Sequence, residues 1–257
     1  MEKEAKTPTI DQAIQHYWGL RAEGYSLSNV EELADADNLY RNLLQRWLPG
    51  SHLGQKSLDI GCGPGFLAIE LAKLGFESTG IDSCAPMLIN ARKNALGLNV
   101  EFLQADAAAA SFPHESFDVI ASRNVVWNLP DPESAYRQWH RWLKPNGKLI
   151  IFDGNHYRYL TDSSRHDRPH RETHKYLGDV DINIMESIAK ELPMSRFDRP
   201  EYDKEILNLI GFVNIDTIVL RQTGDQIHDF AIICEKDHAD LYAFTGRQRR
   251  QNGHSRG

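Results

Sequence analysis

The chain has 257 residues, 25% of them charged and 41% hydrophobic, with a formal net charge of −7. That length suits one α/β domain with insertions, and the acidic balance argues against a surface built for phosphate backbones, so nucleic acid is not an expected partner. Its three cysteines, Cys62, Cys84 and Cys234, form no C-x-x-C pair, which points away from a zinc knuckle or disulfide framework and fits a reducing, cytoplasmic compartment; no segment has the apolar length of a membrane span or a signal peptide, so no membrane partner is expected.

In chain order, residues 1–9 are polar and residues 246–257 are basic, and both ends read as disordered, leaving 10–245 as a single domain. From Ser57 the chain alternates short aliphatic or β-branched runs with segments of helical period, the pattern of a parallel sheet covered by helices. Ser57–Ile60 is the first strand; Leu67, Leu71 and Leu74 line a helix that Gly75 stops. Ser78–Asp82 is the second strand, and Ser83 opens a helix carrying Met87, Leu88, Ala91 and Ala95 inward. Val100–Gln104 and Phe117–Ser122 are the third and fourth strands. Asp131 caps a helix with Pro132 in its first position; it runs to about Lys144 with a stripe of Tyr136, Trp139 and Leu143. The Lys144-Pro-Asn-Gly147 turn precedes the fifth strand, Lys148–Asp153.

Residues 154–199 break the alternation with a polar insertion rich in Arg, His and Asp, whose best-patterned part is a helical piece over Ile182–Leu192. An amphipathic helix follows from Pro200 to Gly211, then strands over Val213–Leu220 and Phe230–Cys234. Only Arg221–Asp229 lies between these two strands, too little for a parallel crossover with its helix, so the last strand is expected to be antiparallel.

The chemistry centres on Gly61-Cys-Gly63-Pro-Gly65, between a buried strand and a helix. Absent side chains there allow a sharp turn and close approach of a ligand, and the amides at a helix start receive anionic groups. Dinucleotide enzymes use such a turn as well. The spacing here is G-x-G-x-G, however, and Pro64 removes an amide that a pyrophosphate cradle would use. Asp82 ends the second strand, where a carboxylate can accept both hydroxyls of a ribose, so the pattern identifies adenosine better than it identifies a reaction.

In order, Leu58–Leu71, Gly80-Ile-Asp82, Gln104-Ala-Asp106, Ser116-Phe-Asp118 and Leu143–Leu149 resemble the motifs of class I S-adenosylmethionine-dependent methyltransferases of the small-molecule branch, over roughly Tyr17 to Glu235. The resemblance implies a Rossmann-like α/β three-layer sandwich, with a mostly parallel seven-stranded sheet, an antiparallel last strand and a helical lid after strand five. It also implies S-adenosyl-L-methionine as cofactor. Gly61, Gly63 and Gly65 would face its methionyl part and adenosine, and Asp59 would orient its ammonium group. Asp82 would bind the ribose, with Ser83 and Met87 beside the adenine, Asp106 and Ala107 at the adenine edge, and Arg123 and Asn124 near the methionyl group. Read without the family, Asp59 or Asp106 could cap a strand end, Met87 could be plain core and Arg123 a surface ion pair. Residues His16–Tyr25 are similar to the segment that crosses the cofactor in this family, which makes Tyr17 and Tyr25 lid candidates; an aromatic patch packed on the domain is the other reading.

Methyl transfer from a sulfonium chiefly needs alignment and exclusion of water, with a base where the nucleophile carries a proton. Ligands of open α/β folds bind at the carboxyl end of the sheet, so Trp127, Asn128, Asn155 and Tyr157 are expected to line the pocket for a small-molecule methyl acceptor, with His156 as base or as polar wall. The insertion is expected to select the acceptor as a lid. It contains His166, His170 and His174 at helical spacing, but Pro169 interrupts a helix through all three, so no metal is assigned. Two readings stand beside methyl transfer. An NAD-dependent oxidoreductase is disfavoured by the glycine spacing and the closing hairpin. A non-catalytic sensor or partner subunit that binds the same cofactor is left open, because cofactor site and acceptor pocket are separate features. A nucleic-acid methyltransferase is disfavoured by the acidic balance and by Asn128-Leu-Pro-Asp131, which lacks an aromatic to stack on a flipped base. Neither the acceptor nor the oligomeric state is legible in the sequence.

Overall fold

The computed structural model describes residues 8–162, 164 and 175–238. Seven strands form one sheet in the order β3-β2-β1-β4-β5-β7-β6. They are β1 (Lys56–Ile60), β2 (Glu77–Asp82), β3 (Val100–Gln104), β4 (Phe117–Arg123), β5 (Leu143–Gly154), β6 (Phe212–Thr223) and β7 (Gln226–Lys236). The first five pair in parallel, whereas β7 runs antiparallel to both β5 and β6. Helices α1 (Ile10–Ala34), α2 (Leu39–Trp47), α3 (Phe66–Lys73), α4 (Ala85–Asn94), α5 (Pro132–Trp142), α6 (Ile182–Glu191) and α7 (Glu201–Ile210) cover its faces. This is the seven-stranded Rossmann-like architecture expected, with its antiparallel last strand.

The central strands are buried on both faces, which is why they read as continuous apolar runs: Leu58, Ile60, Ile120, Ala121, Leu149, Ile150 and Ile151 are fully enclosed. Asp131 caps α5 by accepting from the Ser134 N–H at 3.0 Å, with Pro132 in the first turn, as expected. Two boundaries differ. Leu143 does not extend the α5 stripe: it opens β5, opposite Phe117, and Trp142 takes its place beside Tyr136 and Trp139. Ser83 does not cap α4; Cys84 holds that position, its N–H donating to Asp82 Oδ1 at 2.8 Å.

The closing hairpin is tighter than expected. Gln222 pairs with Ile227 and Thr223 with Gln226, so two residues, Gly224 and Asp225, make the turn, with Gly224 at φ 56°. The polar stretch taken as a loop is an extension of the ladder, exposed over residues 221–225 and held by Arg221 donating to Asp229 at 2.6 Å. The largest departure lies before β1. Thr9, placed in the disordered end by its polarity, caps α1 in a reciprocal box with Gln12. α1 then runs for 25 residues and packs against α4 and α6. Of the insertion, Gly154 completes β5, and α6 buries Met185, Ile188 and Ala189 in the core that holds Ile14 and Tyr17. His166, His170 and His174, residues 1–7 and the basic tail 246–257 lie outside the described residues.

Candidate functional site

At the carboxyl ends of β1, β2 and β4 the chain makes a cleft roofed by the first half of α1. The turn after β1 needs its glycines for two reasons. Gly61 and Gly63 have φ of 60° and 51°, where side chains are strained, and a Cβ on Gly61 would stand 2.4 Å from Val125 Cγ2. Asp82 fixes the turn from the neighbouring strand, accepting from the Gly63 N–H at 2.9 Å and the Cys84 N–H at 2.8 Å. Burial pushes its carboxyl above the ordinary range, and these two N–H groups pull it back. Gly61, Gly63, Asp82, Ser83, Met87, Asp106, Ala107, Arg123 and Asn124 all reach the cleft wall, as does Tyr25 from α1. The donor set fits an adenosine: a carboxylate with lone pairs left for hydroxyls, and an apolar slot of Met87, Ala107 and Leu129 for a flat base.

Two expected cofactor residues stand behind the wall. Gly65 is packed beneath Phe102 and Ala91, and Asp59, 1% exposed, accepts from the Ala68 N–H at 2.8 Å. Burial above all pushes the Asp59 carboxyl up to about 8, partly offset by the Ala68 N–H and reinforced by Asp82. Between about pH 4 and pH 8 the folded chain therefore holds a proton that the unfolded chain has lost, and this group favours unfolding increasingly as pH rises through that window. Asp59→Asn keeps an oxygen for Ala68. It is expected to raise the Tm of the unliganded chain at pH 8, with the gap shrinking as pH falls toward 4 in thermal scans.

A second cavity adjoins the first and shares Trp18, Tyr25, Arg123 and Asn124 with it. Its wall carries Tyr17, Tyr40, Trp127, His156 and Tyr157, together with Arg21, Glu32 and Asp229. Of the four residues expected around an acceptor, Trp127 and Tyr157 stand here, whereas Asn128 faces the first cleft. Asn155 lines neither: its amide donates to the carbonyls of Arg199 (2.7 Å) and Ile227 (2.9 Å) and accepts from the Arg199 N–H, so it ties the insertion to the sheet end. Tyr17, read as a cofactor lid, borders the second cavity and not the first.

Arg123 is a clamp as much as a wall. Its guanidinium forks onto Glu32 at 2.6 and 2.7 Å and lies 4.0 Å from the centre of the Tyr40 ring, fixing α1 and α2 over β4. His156 is oriented by an amide. Asn124 donates from Nδ2 to the Tyr25 hydroxyl at 3.4 Å, which turns its Oδ1 toward His156 Nε2 at 3.1 Å. This pattern places the ring proton on Nε2 and leaves Nδ1 bare. Burial holds the imidazole below its ordinary pKa despite Asp153 and Asp229 nearby, so it is neutral at neutral pH.

The sequence reading missed Trp18, Arg21, Glu32, Tyr40 and Asp229. The first three had a signal: Trp18, Arg21, Tyr25, Asn29 and Glu32 recur at helical spacing, which puts one polar and aromatic face of α1 over both cavities. Among the described residues no cluster of three metal-ligating side chains occurs, and no helix is long and apolar enough to cross a membrane.

Residues 58–151 match the family model described as a methyltransferase domain. Phosphoethanolamine N-methyltransferase 3 of Arabidopsis thaliana is 39% identical over 103 residues, which are 39% of this chain and 21% of that protein. The ubiquinone biosynthesis O-methyltransferase of Klebsiella pneumoniae is 31% identical over 162 residues, 58% of this chain and 64% of that one. The chain thus spans about a fifth of the length of the phosphoethanolamine relatives it matches. In fold it is similar to Haemonchus contortus phosphoethanolamine N-methyltransferase 2, solved with phosphomonomethylethanolamine and S-adenosylhomocysteine: TM-score 0.62 and 18% identity, over 91% of this chain and 61% of that one.

Proposed function

We propose that this chain, whose residues 58–151 match a methyltransferase domain, is a class I methyltransferase that methylates a small molecule with S-adenosyl-L-methionine as donor. One observation carries the reading: the cleft built by Gly61, Gly63 and Asp82 adjoins a second, aromatic-walled cavity, the two sharing Trp18, Tyr25, Arg123 and Asn124 in their walls. A chain that only senses its cofactor has no need of that second space. The donor, when bound, supplies an activated methyl group on a sulfonium.

The chain's own residues position and exclude. Asp82 would hold the ribose, with Ser83, Met87, Asp106 and Ala107 around the base and Arg123 and Asn124 toward the second cavity. Residues of α1 line both spaces, where they help position the ligands. His156 Nδ1 is the proton acceptor for a nucleophile that carries a proton; Asp229 Oδ1, 3.9 Å from Nδ1, stabilises the imidazolium that forms. Of the insertion, His156 and Tyr157 line the second cavity and take part in selecting the acceptor.

Formation of S-adenosylhomocysteine from S-adenosylmethionine, followed chromatographically with candidate acceptors, tests the reading. Turnover is expected to hold steady from pH 8 to below 6.5, because His156 stays neutral across that range. His156→Gln is expected to lower kcat by about 10²–10⁴ and to remove the acid limb of the profile. Undiminished turnover in that variant would remove His156 from the mechanism, and binding of NADH in place of the methyl donor would overturn the reading as a whole.

A further inference from the structure

The inner face of α7 carries a carboxylate where an amphipathic period predicts an apolar residue. Asp203, Ile206 and Leu207 are its buried positions, and Asp203 is wholly enclosed. Its partner is Arg199, whose fork reaches it at 2.7 and 2.9 Å, and the Tyr136 hydroxyl adds a donor at 2.5 Å. A second enclosed carboxylate, Asp153 of β5, accepts from the same guanidinium at 3.2 Å. Two carboxylates thus share one cation, and the cluster keeps one negative charge that none of its members offsets. A surplus charge is costly in so enclosed a place.

The group beside it is His156. Asp153 Oδ1 lies 3.7 Å from Nε2, and Asp229 Oδ1 of β7 lies 3.9 Å from Nδ1 on the other side of the ring. The two carboxylates are not equivalent. Asp229 is tied to Arg221 of β6 at 2.6 Å, whereas the cation that Asp153 shares is held more closely by Asp203. Arg199 and Arg221 are the cations that oppose a charge on the ring. Asn124, which accepts from Nε2 at 3.1 Å, and Trp127, edge-on to the ring, are neutral. Elsewhere on the cavity wall, Arg123 of β4 is paired with Glu32 of α1 at 2.6 Å, and the remaining titratable groups are Arg21, Tyr17, Tyr25, Tyr40 and Tyr157.

We infer that Asp203 is a positioning residue for the proton acceptor: by drawing Arg199 onto α7 it leaves Asp153 the negative charge that holds the imidazolium formed on His156. As the proton leaves the nucleophile its bond there breaks and an Nδ1–H bond forms, while Nε2 keeps its own proton. The new positive charge then meets Asp153 across Nε2 and Asp229 across Nδ1. The inference rests on the reading of His156 as base given above.

NMR titration of the His156 ring in the full chain tests it, with His156→Gln to assign the signal. Asp203→Asn leaves one carboxylate for one cation and is expected to lower the midpoint by about one pH unit, because a negative charge that favours the protonated ring is lost. Turnover is expected to fall by about ten-fold, with the acid limb of its profile moving to lower pH. Affinity for S-adenosylhomocysteine is the control for folding; if Asp203→Asn fails it, Asp153→Asn decides by the same titration. A midpoint that moves by less than about 0.3 pH unit, or moves upward, overturns the inference. A midpoint lowered as expected with undiminished turnover upholds the charge assignment and strikes His156 as base instead.

Discussion

Asp82→Ala is expected to weaken S-adenosylmethionine binding by about 10²–10⁴-fold, since two hydrogen bonds from ribose hydroxyls to a carboxylate contribute about 1.5–3 kcal/mol each. The geometry gives a second reason for a large effect. The same carboxylate receives the N–H groups of Gly63 and Cys84, so its removal leaves two amides at the cleft floor without their acceptor and frees a turn held at positive φ. Asp106→Ala makes the comparison. Asp106 also lines the cleft, but its Oδ1 is engaged at 2.8 and 2.9 Å by the N–H groups of Ala108 and Ala109 in its own turn, and a smaller loss is expected there. Calorimetry on the two variants and the parent chain reads the difference. Binding by Asp82→Ala within about three-fold of the parent would remove Asp82 from the cofactor site.

Arg199→Met is expected to cost about 3–5 kcal/mol of stability, because it strips the cation from between two carboxylates that are fully buried. Arg199 donates to Asp203 Oδ2 at 2.7 Å and Oδ1 at 2.9 Å, and to Asp153 Oδ2 at 3.2 Å; the Tyr136 hydroxyl donates to Asp203 Oδ1 at 2.5 Å. None of the three charged side chains is exposed at all, so water cannot replace the missing partner. Tm should fall by roughly 6–20 °C in a thermal scan. Arg199→Lys, which keeps the charge and loses the planar fork, should fall between the variant and the parent. A shift under about 2 °C for Arg199→Met would show that the carboxylates are not held in this way. The wall of the second cavity should feel the change too, since Asp153 Oδ2 also accepts from the Trp127 N–H at 3.2 Å.

How much of this was legible in the chain depended on whether local pattern and tertiary demand agreed. The strands β1, β4 and β5 were legible because burial on both faces forces largely apolar runs, and glycines such as Gly61, Gly63 and Gly75 mark where the backbone turns at positive φ. The direction of β7 was legible from length alone. By contrast α1 was not: its buried positions include Arg21 and Asn29 beside Ile14, Tyr17 and Ala22, so the apolar period that marks a helix is diluted by residues that face the cavities. The ends of α5 and the hairpin were misplaced for a similar reason. Leu143 suits a helix stripe and a strand equally until Phe117 pairs with it, and Arg221 to Thr223 look like a loop until the Arg221–Asp229 bond holds them in the ladder.

At the site the division follows the same line. Gly61, Gly63 and Asp82 could be brought to one cleft from the sequence because the places of a glycine turn and a strand-end carboxylate follow from backbone geometry, which chain order largely dictates. Asn155 could not be separated from His156 and Tyr157, three neighbours after β5: only the packed chain shows that its amide is spent on the carbonyls of Arg199 and Ile227. Likewise the pairing of Arg123 with Glu32 joins residues 91 apart, and the tautomer of His156 is set by Asn124, itself turned by Tyr25 from α1. The sequence by itself determined the sheet, the glycine turn after β1 and the acidic group beside it, since local sterics and burial periodicity specify those. The second cavity was decided by the tertiary structure alone, because its wall is assembled from α1, α2 and the ends of β4, β5 and β7, whose side chains acquire partners only when those distant segments pack together.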